Sequence, residues 1–483
     1  MGKIQAKVTV LDEGDLEQIH RATLEVLSTV GCHLPHRRVL DRLAGEGALV
    51  DYGEALVKIP ASLMEKALAE LGGKTASRGG YQRPLLRSGP FRIGTGCQAN
   101  IIDYGADHRR QGTTEDVLEG IALCNALPHV QWAMPLVIPA DVPAYMTDLY
   151  CYNLGALYSV KQFGVYVMSA ASARGIIRLA SIRSGGARPE TGYLLEPNGA
   201  LSYDDFSLEM AVTFAEAGYP FYLAPMAMAG LDAPVTIAGT LVMQNAYNLI
   251  GILLAYLWGV PGGWGGTAHT MDLRSCLCSF GSPNQIPIGL GAIQLGNWYG
   301  FEVGVNSALT DACLPDFQAG FEKGASAMAA ILAGCGGLGA QGIVGADQGI
   351  SFEQLVIDDE WAGALDHVFS HGVVVNEDTL GVEAIKRVGV LGSFLADGHS
   401  LAHMRDTYWR ARVFNHESWD AWHAKGGKDV NQRAHEEAER LLAEHYPLRL
   451  QVEPAVKEAM DAVVEEARRR PGLFTAERYK YRP

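Results

Sequence analysis

Apolar positions follow two rhythms along this chain. Over residues 13 to about 75 they recur at helical spacing: EGDLEQIHRATLEVLSTVG brings Leu16, Ile19, Leu24 and Leu27 to one side, and Gly31 stands where a C-terminal cap belongs. HRRVLDRLAGEG and PASLMEKALAELGG repeat the pattern and each closes on glycine, which predicts about three N-terminal helices. From about residue 90 short apolar runs alternate with amphipathic stretches. The runs 129–139, 161–169, 193–197, 221–228, 260–266, 301–308, 338–345 and 393–397 read as strands, with helix-like segments between them. Eight strands, each separated by a helix, predict an α/β fold of the (β/α)8 TIM-barrel kind, whose strands are covered on both faces and so read as continuous apolar runs. A doubly wound dinucleotide fold would carry GxGxxG after its first strand and an acid about 20 residues on, and that arrangement does not occur. After about residue 400 the chain turns polar and helical. The predicted organisation is a helical N-terminal region over 1–89, a barrel over 90–400, and a helical C-terminal extension over 401–483 packed on its outside. Residues 93–104, IGTGCQANIIDY, read as a loop before the first strand that closes over the barrel end.

Composition sharpens this picture in one respect. Of 483 residues 56 are glycine, a share well above the roughly 7% of ordinary proteins. The excess sits in apolar runs such as GVPGGWGG (259–266) and GCGGLGAQGIVG (334–345), where a missing side chain leaves room for a ligand or a close backbone. A net charge of -15 disfavours polyanionic partners, nucleic acid and anionic membranes among them, though it leaves room for a local basic patch. The N-terminus lacks an apolar signal core, and the apolar run Leu249 to Val260 is shorter than the ~20 residues of a membrane span, so a soluble cytoplasmic protein is expected. Eight cysteines without a CxxC pair read as reduced, buried thiols, the close pair Cys276 and Cys278 included.

Reacting groups of a barrel sit at the C-terminal ends of its strands. That rule selects Pro139 to Asp141, Ser169, Asn198, Met226 to Met228, Trp264 to His269, Asn306 with Ser307, Gly345 to Phe352, and Asp397 with His399, to which the 93–104 loop adds Gln98, Asn100 and Tyr104. They are mainly aromatic, amide and glycine, and poor in paired carboxylates, which points to a site that holds its substrate rather than protonating it. Trp264 among glycines offers an indole face to a cation, a contact worth roughly 0.5–2 kcal/mol, or else fills a core layer. His399 and His403, four apart with Asp397 nearby, have a metal-ligand spacing, but no HExxH glutamate lies between them and no metal is expected. The DGH of the same stretch opens like the DxHxxG signature of cobalamin-binding domains, yet Ala402 replaces the glycine and no Rossmann unit follows, so cobalamin is not expected on this chain. The acidic run Asp358, Asp359 and Glu360 reads as a helix start or a solvated face.

Several long segments in order resemble the trimethylamine methyltransferase family: IHRATLEVLSTVGCHL, PVTIAGTLVMQNAYNL, TDACLPDFQAGFEKGASAMAAILAG, GISFEQLVIDDE and VLGSFLADGHSLAHMRDTYWRARVFNHESWDAW. The resemblance covers nearly the whole chain. It implies a (β/α)8 barrel that moves a methyl group from an amine to the cob(I)alamin of a separate corrinoid protein. Members acting on trimethylamine carry pyrrolysine. With ordinary residues throughout, this chain resembles the branch that demethylates quaternary ammonium compounds such as glycine betaine.

A quaternary nitrogen already carries its charge, so attack on methyl expels a neutral tertiary amine and no general acid is needed. On that chemistry Trp264 and Phe352 are the expected cation wall, Tyr104 the lid, and Gln98, His269, Asn306 and Gln348 the polar partners of a substrate carboxylate. Asp347 stands against a carboxylate in the same place and would instead face the cation. The expected partners are the small quaternary amine and a corrinoid protein, in a homo-oligomeric enzyme. Alternatives are a folate acceptor, a sulfonium donor, or a quaternary-amine-binding protein without turnover.

Overall fold

The computed structural model describes residues 8–72, 92–186, 191–475 and 480–482. The chain is an α/β fold built on a parallel sheet. Its strands are β1 Ile93–Thr95, β2 Val130–Ala133, β3 Gln162–Phe163, β4 Tyr193–Leu195, β5 Phe221–Leu223, β6 Trp264–Gly266, β7 Val303–Val305 and β8 Gly337–Gln341. Parallel pairing joins β6, β7, β8, β1, β2 and β3 in that order, and separately β4 with β5. A bridge between Phe221 and Gly262, with Gly263 N donating to Phe221 O at 3.1 Å, carries β5 onto β6. Among the described residues no bridge joins β3 to β4, and residues 187–190 beside that seam lie outside the description.

Seven expected strands fall on observed ones, and the eighth is corrected. SFLAD (393–397) forms no strand, whereas Ile93–Thr95, expected as part of a closing loop, is β1 in the middle of the sheet. Its strand character was masked by a run of only three residues with glycine at its centre. The exposed side chain of Leu395, at 88%, shows why SFLAD makes no core strand: nothing packs on it.

Helices follow the strands and are started by side-chain caps. Thr113, Ser169, Asp204, Thr236, Asp316 and Ser351 each accept a hydrogen bond from the backbone N–H three residues on, satisfying a donor that the first helical turn leaves unpaired. Helix Ile237–Trp258 has the length and apolarity of a membrane span but is mostly buried, with helices Glu13–Thr29 and Ala61–Leu71 packed on it. Those two and Arg37–Gly45 are the three expected N-terminal helices, joined by a small antiparallel sheet of Cys32–His33, Leu49–Asp51 and Leu56–Lys58. The expected boundary at residues 89–90 lies outside the described residues. Toward the C-terminus, helix Val430–His445 packs on Thr114–Ala126 and Phe352–His371, and Pro454–Arg469 on Thr147–Tyr158 and Ala170–Arg183.

Strand alternation decides which side chains meet the helices and which face away. Tyr193 and Leu195 of β4, Phe221 and Leu223 of β5 and Val303 and Val305 of β7 are buried under helices. The alternate positions form an inner face poor in side chains: Gly94, Gly304, Gly337 and Gly339. Gly94 is obligatory there, because a Cβ would sit 1.7 Å from the Trp132 ring. Trp132, Gly304 and Gly337, with Arg92, Lys161 and Glu302, line a cavity of about 640 Å³ at the amino ends of the strands. Four of the glycines thus lie on the inner face of the sheet.

Candidate functional site

At the opposite, carboxyl ends of the strands a different set of groups converges. Gln98 follows β1, Tyr166 follows β3, Glu196 follows β4, Asn306 follows β7, and Asp347 lies in the turn after β8. The Gln98 amide donates to the Asp347 carboxylate. Gln98 is itself fixed by backbone bonds, its N–H donating to Leu136 O and its carbonyl accepting from Ile138 N. Asp347 sits at φ +72°, beside Ala346 at φ +49°, and Ala340 of β8 and Ala308 after β7 are also left-handed, at φ +61° and +63°. Non-glycine residues in that region store backbone strain, and four gathered at adjacent strand ends mark a place where geometry outweighs local preference.

Electrostatics bind these groups into one site. Burial pushes the Asp347 carboxyl up to about 6, opposed by the Gln98 hydrogen bond. Glu196 is pushed up to about 7, first by burial and then by the charge of Asp347. Asp347 retains solvent-exposed surface while being desolvated, as expected of a group on the wall of a concave opening. Its charge also reaches Cys97, Tyr166 and Cys278, all raised mainly by burial; the two thiols are pushed up to about 12 and stay protonated, so neither is a nucleophile at neutral pH. Glu196, Asp347 and Tyr166 thus lie within range of one another's charge, and the Gln98 amide is bonded to one of them. Among the described residues Glu196 makes no hydrogen bond or ion pair, and Asp347 has only Gln98.

The expected site residues divide accordingly. Gln98 and Asp347 meet directly. Asn306 lies beside β8, its Oδ1 3.3 Å from where a Cβ on Gly339 would lie. Gln348 is held at the rim, where Arg109 Nη1 donates to its carbonyl at 3.0 Å and to its side chain at 3.3 Å. Tyr104 stacks on His435 of the C-terminal extension with ring centroids 4.0 Å apart, and His435 Nδ1 lies 2.9 Å from Glu353 Oε1, so the tyrosine is anchored.

Three others stand apart from this group. Trp264 is 5% exposed and turned toward helix Gln285–Tyr299, packed on Tyr299 and Phe301; a Cβ on Gly296 would come within 2.5 Å of it. Its placement corrects the expectation of an exposed indole: parity along β6 puts Trp264 and Gly266 on the helix side. Phe352 opens helix Phe352–His371 and packs half-buried against the core. His269 is fully buried against Phe280, ring centroids 4.3 Å apart, and burial pushes it down to about 4 against small opposing effects of Gln285 and Asp311. It is neutral at physiological pH.

The expectation of a site without paired carboxylates is likewise corrected by Glu196 and Asp347. Glu196 was legible in principle. In YLLEP it ends a strand on the parity opposite to the buried Tyr193 and Leu195, so it faces inward with Leu194.

The acidic run is also corrected. Asp358, Asp359 and Glu360 lie inside helix Phe352–His371, at most 2% exposed. Asp358 receives Lys323 Nζ at 2.9 Å, Gly342 N at 2.8 Å, Gln354 Nε2 at 2.8 Å and Trp361 Nε1 at 2.8 Å. Asp359 takes His129 N at 2.7 Å and Arg412, and Glu360 caps the N–H groups of residues 412, 413 and 414. This network locks β8 and the chain near Arg412 to one helix.

Comparison with known proteins places the chain. It is 28% identical over 445 residues to a trimethylamine methyltransferase MttB of Desulfitobacterium hafniense, covering 90% of this chain and 89% of that one. It is 28% identical over 477 residues to a glycine betaine methyltransferase of the same species, covering 96% and 97%. Among solved structures the monomethylamine methyltransferase of Methanosarcina barkeri aligns over 92% of this chain and 96% of that one, at 12% identity and a TM-score of 0.47, a likeness that carries no argument. Residues 2–472 match the family model described as trimethylamine methyltransferase (MTTB), and the chain belongs to that family.

Proposed function

We propose that this methyltransferase removes a methyl group from a small quaternary ammonium compound, glycine betaine or a near relative, at the opening formed by Glu196, Asp347, Tyr166, Gln98 and Asn306. As a member of its family the chain is a corrinoid-dependent methyltransferase. The acceptor is cob(I)alamin on a separate corrinoid protein, which supplies the nucleophile; this chain binds no cofactor of its own. The observation that carries the reading is the pair of under-partnered carboxylates at the strand ends. A fixed cation restores the partner both lack, and a quaternary nitrogen cannot take their protons.

In this reading the strands close into a (β/α)8 barrel. The order β4 to β8 followed by β1 to β3 supports it, leaving only the β3/β4 seam to close. The chain's residues orient the cation so that one methyl faces the open mouth, and their enclosure excludes water from the reacting carbon. Attack breaks the N–CH3 bond, its electron pair returns to nitrogen, and a neutral tertiary amine leaves. Arg109, held beside Gln348, is a cation that suits a betaine carboxylate. In this reading the protein works in the cytoplasm as a homo-oligomer.

A second reading has an observation of its own. Two carboxylates on which no cationic group acts among the described residues favour a cation that lacks a carboxylate, such as a choline-like amine or a sulfonium. One experiment separates the readings: incubation with cob(I)alamin and a panel of betaines, choline and dimethylsulfonium compounds, following the absorption spectrum of methylcobalamin. Turnover of a betaine supports the first reading, turnover of choline or sulfonium alone the second. Tight calorimetric binding without any methyl transfer would overturn both in favour of a binding protein.

A further inference from the structure

The pair His399 and His403 gains in the fold the third ligand that its sequence neighbourhood lacks. Asp397, the neighbour in sequence, is committed elsewhere. It caps helix Gly398–Thr407 by accepting from His399 N at 2.9 Å, and its carboxylate grips Arg387 through bonds of 3.0 and 2.8 Å. Asp378 comes in instead, from a loop far upstream. Its backbone carbonyl accepts from His399 Nε2 at 2.9 Å, and its carboxylate lies 3.3 Å from His403 Nε2. The two rings face each other with centroids 4.4 Å apart, and one ligand atom from each of Asp378, His399 and His403 can be chosen so that all lie within 4.8 Å of one another. Gly381 leaves room beside the His399 ring, where a Cβ would stand 3.2 Å from Nε2.

A second observation comes from the segment that carries these residues. Between Gly372 and Arg412 only Ala384 is buried, and Val373, Val375, Val390, Leu391 and Leu395 are each more than 70% exposed. So little apolar burial cannot hold a loop against a helix. Segments without a core are held by disulfides, by metals or by partners.

We propose that Asp378, His399 and His403 bind one zinc ion, with water in the fourth position, and that the ion ties the 374–380 loop to helix Gly398–Thr407. Two imidazoles and a carboxylate are hard-to-borderline ligands of the kind zinc takes in a tetrahedral site. With bonds of about 2.0–2.2 Å the ligand atoms of such a site stand roughly 3.3 Å apart, so the side chains close by about an ångström or so. Each neutral imidazole carries its proton on Nδ1 when Nε2 binds the metal. Coordination then exchanges two weak hydrogen bonds for three metal bonds without loss of a proton or an electron.

The molecule contains its own control. His367 and His371 are also four apart on a helix and stacked at 4.1 Å, but among the described residues no carboxylate completes a ligand triad with them. The experiment is titration of the chelator-treated full-length protein with Zn2+ by calorimetry and with Co2+ by visible absorption, alongside its melting temperature. Expected are one equivalent of zinc, the intense visible bands of tetrahedral Co2+, and a melting temperature that rises with zinc. Asp378→Ala and His403→Gln should abolish all three while leaving the metal-free melting temperature unchanged, and the double variant His367→Ala/His371→Ala should retain them. Absence of stoichiometric zinc, or a cobalt spectrum that survives Asp378→Ala or disappears with the His367/His371 variant, overturns the proposal.

Discussion

Two groups of carboxylates in this protein invite comparison. Asp358, Asp359 and Glu360 are almost completely buried, and each is surrounded by donors: an ammonium, a guanidinium, an indole and five backbone N–H groups. Glu196 and Asp347 are less buried, yet among the described residues a single amide is their whole complement of partners. Burial of a charge is costly in both places. In the first the fold offsets the cost itself, whereas in the second the cost remains, and only a ligand of opposite charge removes it. The missing partner, more than the depth of burial, is what separates a binding carboxylate from a structural one.

The comparison breaks first where a partner is removed. Lys323 is 1% exposed and its ammonium binds Asp358, Gln341 and the Ala308 carbonyl. Lys323→Met strands Asp358 in the core and should cost about 3–5 kcal/mol of stability, read by denaturant unfolding. A loss under 1 kcal/mol would mean the network is ornamental.

Glu196→Gln should do the reverse. It weakens binding of a quaternary ammonium ligand between about tenfold and a hundredfold, as one charge pair at close range in a partly dry site is worth. It also stabilises the ligand-free protein. Glu196 and Asp347 keep their protons to higher pH when folded than when unfolded, so the folded form holds more protons between about pH 4 and 7, and stability falls as pH rises through that window. Removing the Glu196 charge should therefore raise stability at pH 8 by up to about 2 kcal/mol, discounted for water in the opening, with no gain at pH 4. A destabilised variant at pH 8 would put Glu196 with the structural carboxylates.

The same protons predict a binding profile. A quaternary nitrogen does not titrate, so its affinity should rise from pH 5 to pH 8 as the carboxylates near 6 and 7 ionise, then level off. A neutral tert-butyl analogue measured by calorimetry should show no such rise. The smallest effect is expected from Gln98→Leu, which removes the one donor to Asp347 and should move the midpoint of that rise upward by about one pH unit or less.

Much of the fold was legible in the chain. Seven of the expected strands and the helices between them follow from apolar runs punctuated by glycine and capping residues, and the three N-terminal helices from their 3.6-residue rhythm. β1 is not legible because three residues around a glycine carry little pattern, and SFLAD reads as a strand because a short apolar run looks alike whether or not anything packs on it. Helix Phe352–His371 hid its own acidic run. Three adjacent carboxylates look solvated unless one knows that Lys323, His129 and the backbone at 412–414 arrive from elsewhere. Trp264 stays open between cation wall and core layer in the sequence for a similar reason: in a strand of three residues a shift of one position exchanges the helix face for the inner face, and only the register with Val303 to Val305 sets which it takes.

The sequence by itself determined the family, the alternation of strands and helices, and the places where glycine leaves space. Those are local or cumulative properties, carried by the period of apolar residues and by long ordered segments. Only the tertiary structure decided which groups meet. Glu196 and Asp347, far apart in sequence, come within range of each other's charge, Lys323 finds Asp358, and Asp378 rather than Asp397 joins His399 and His403. Such meetings depend on register, face and three-dimensional distance, and a Coulomb interaction depends on separation in space, for which separation along the chain is no guide.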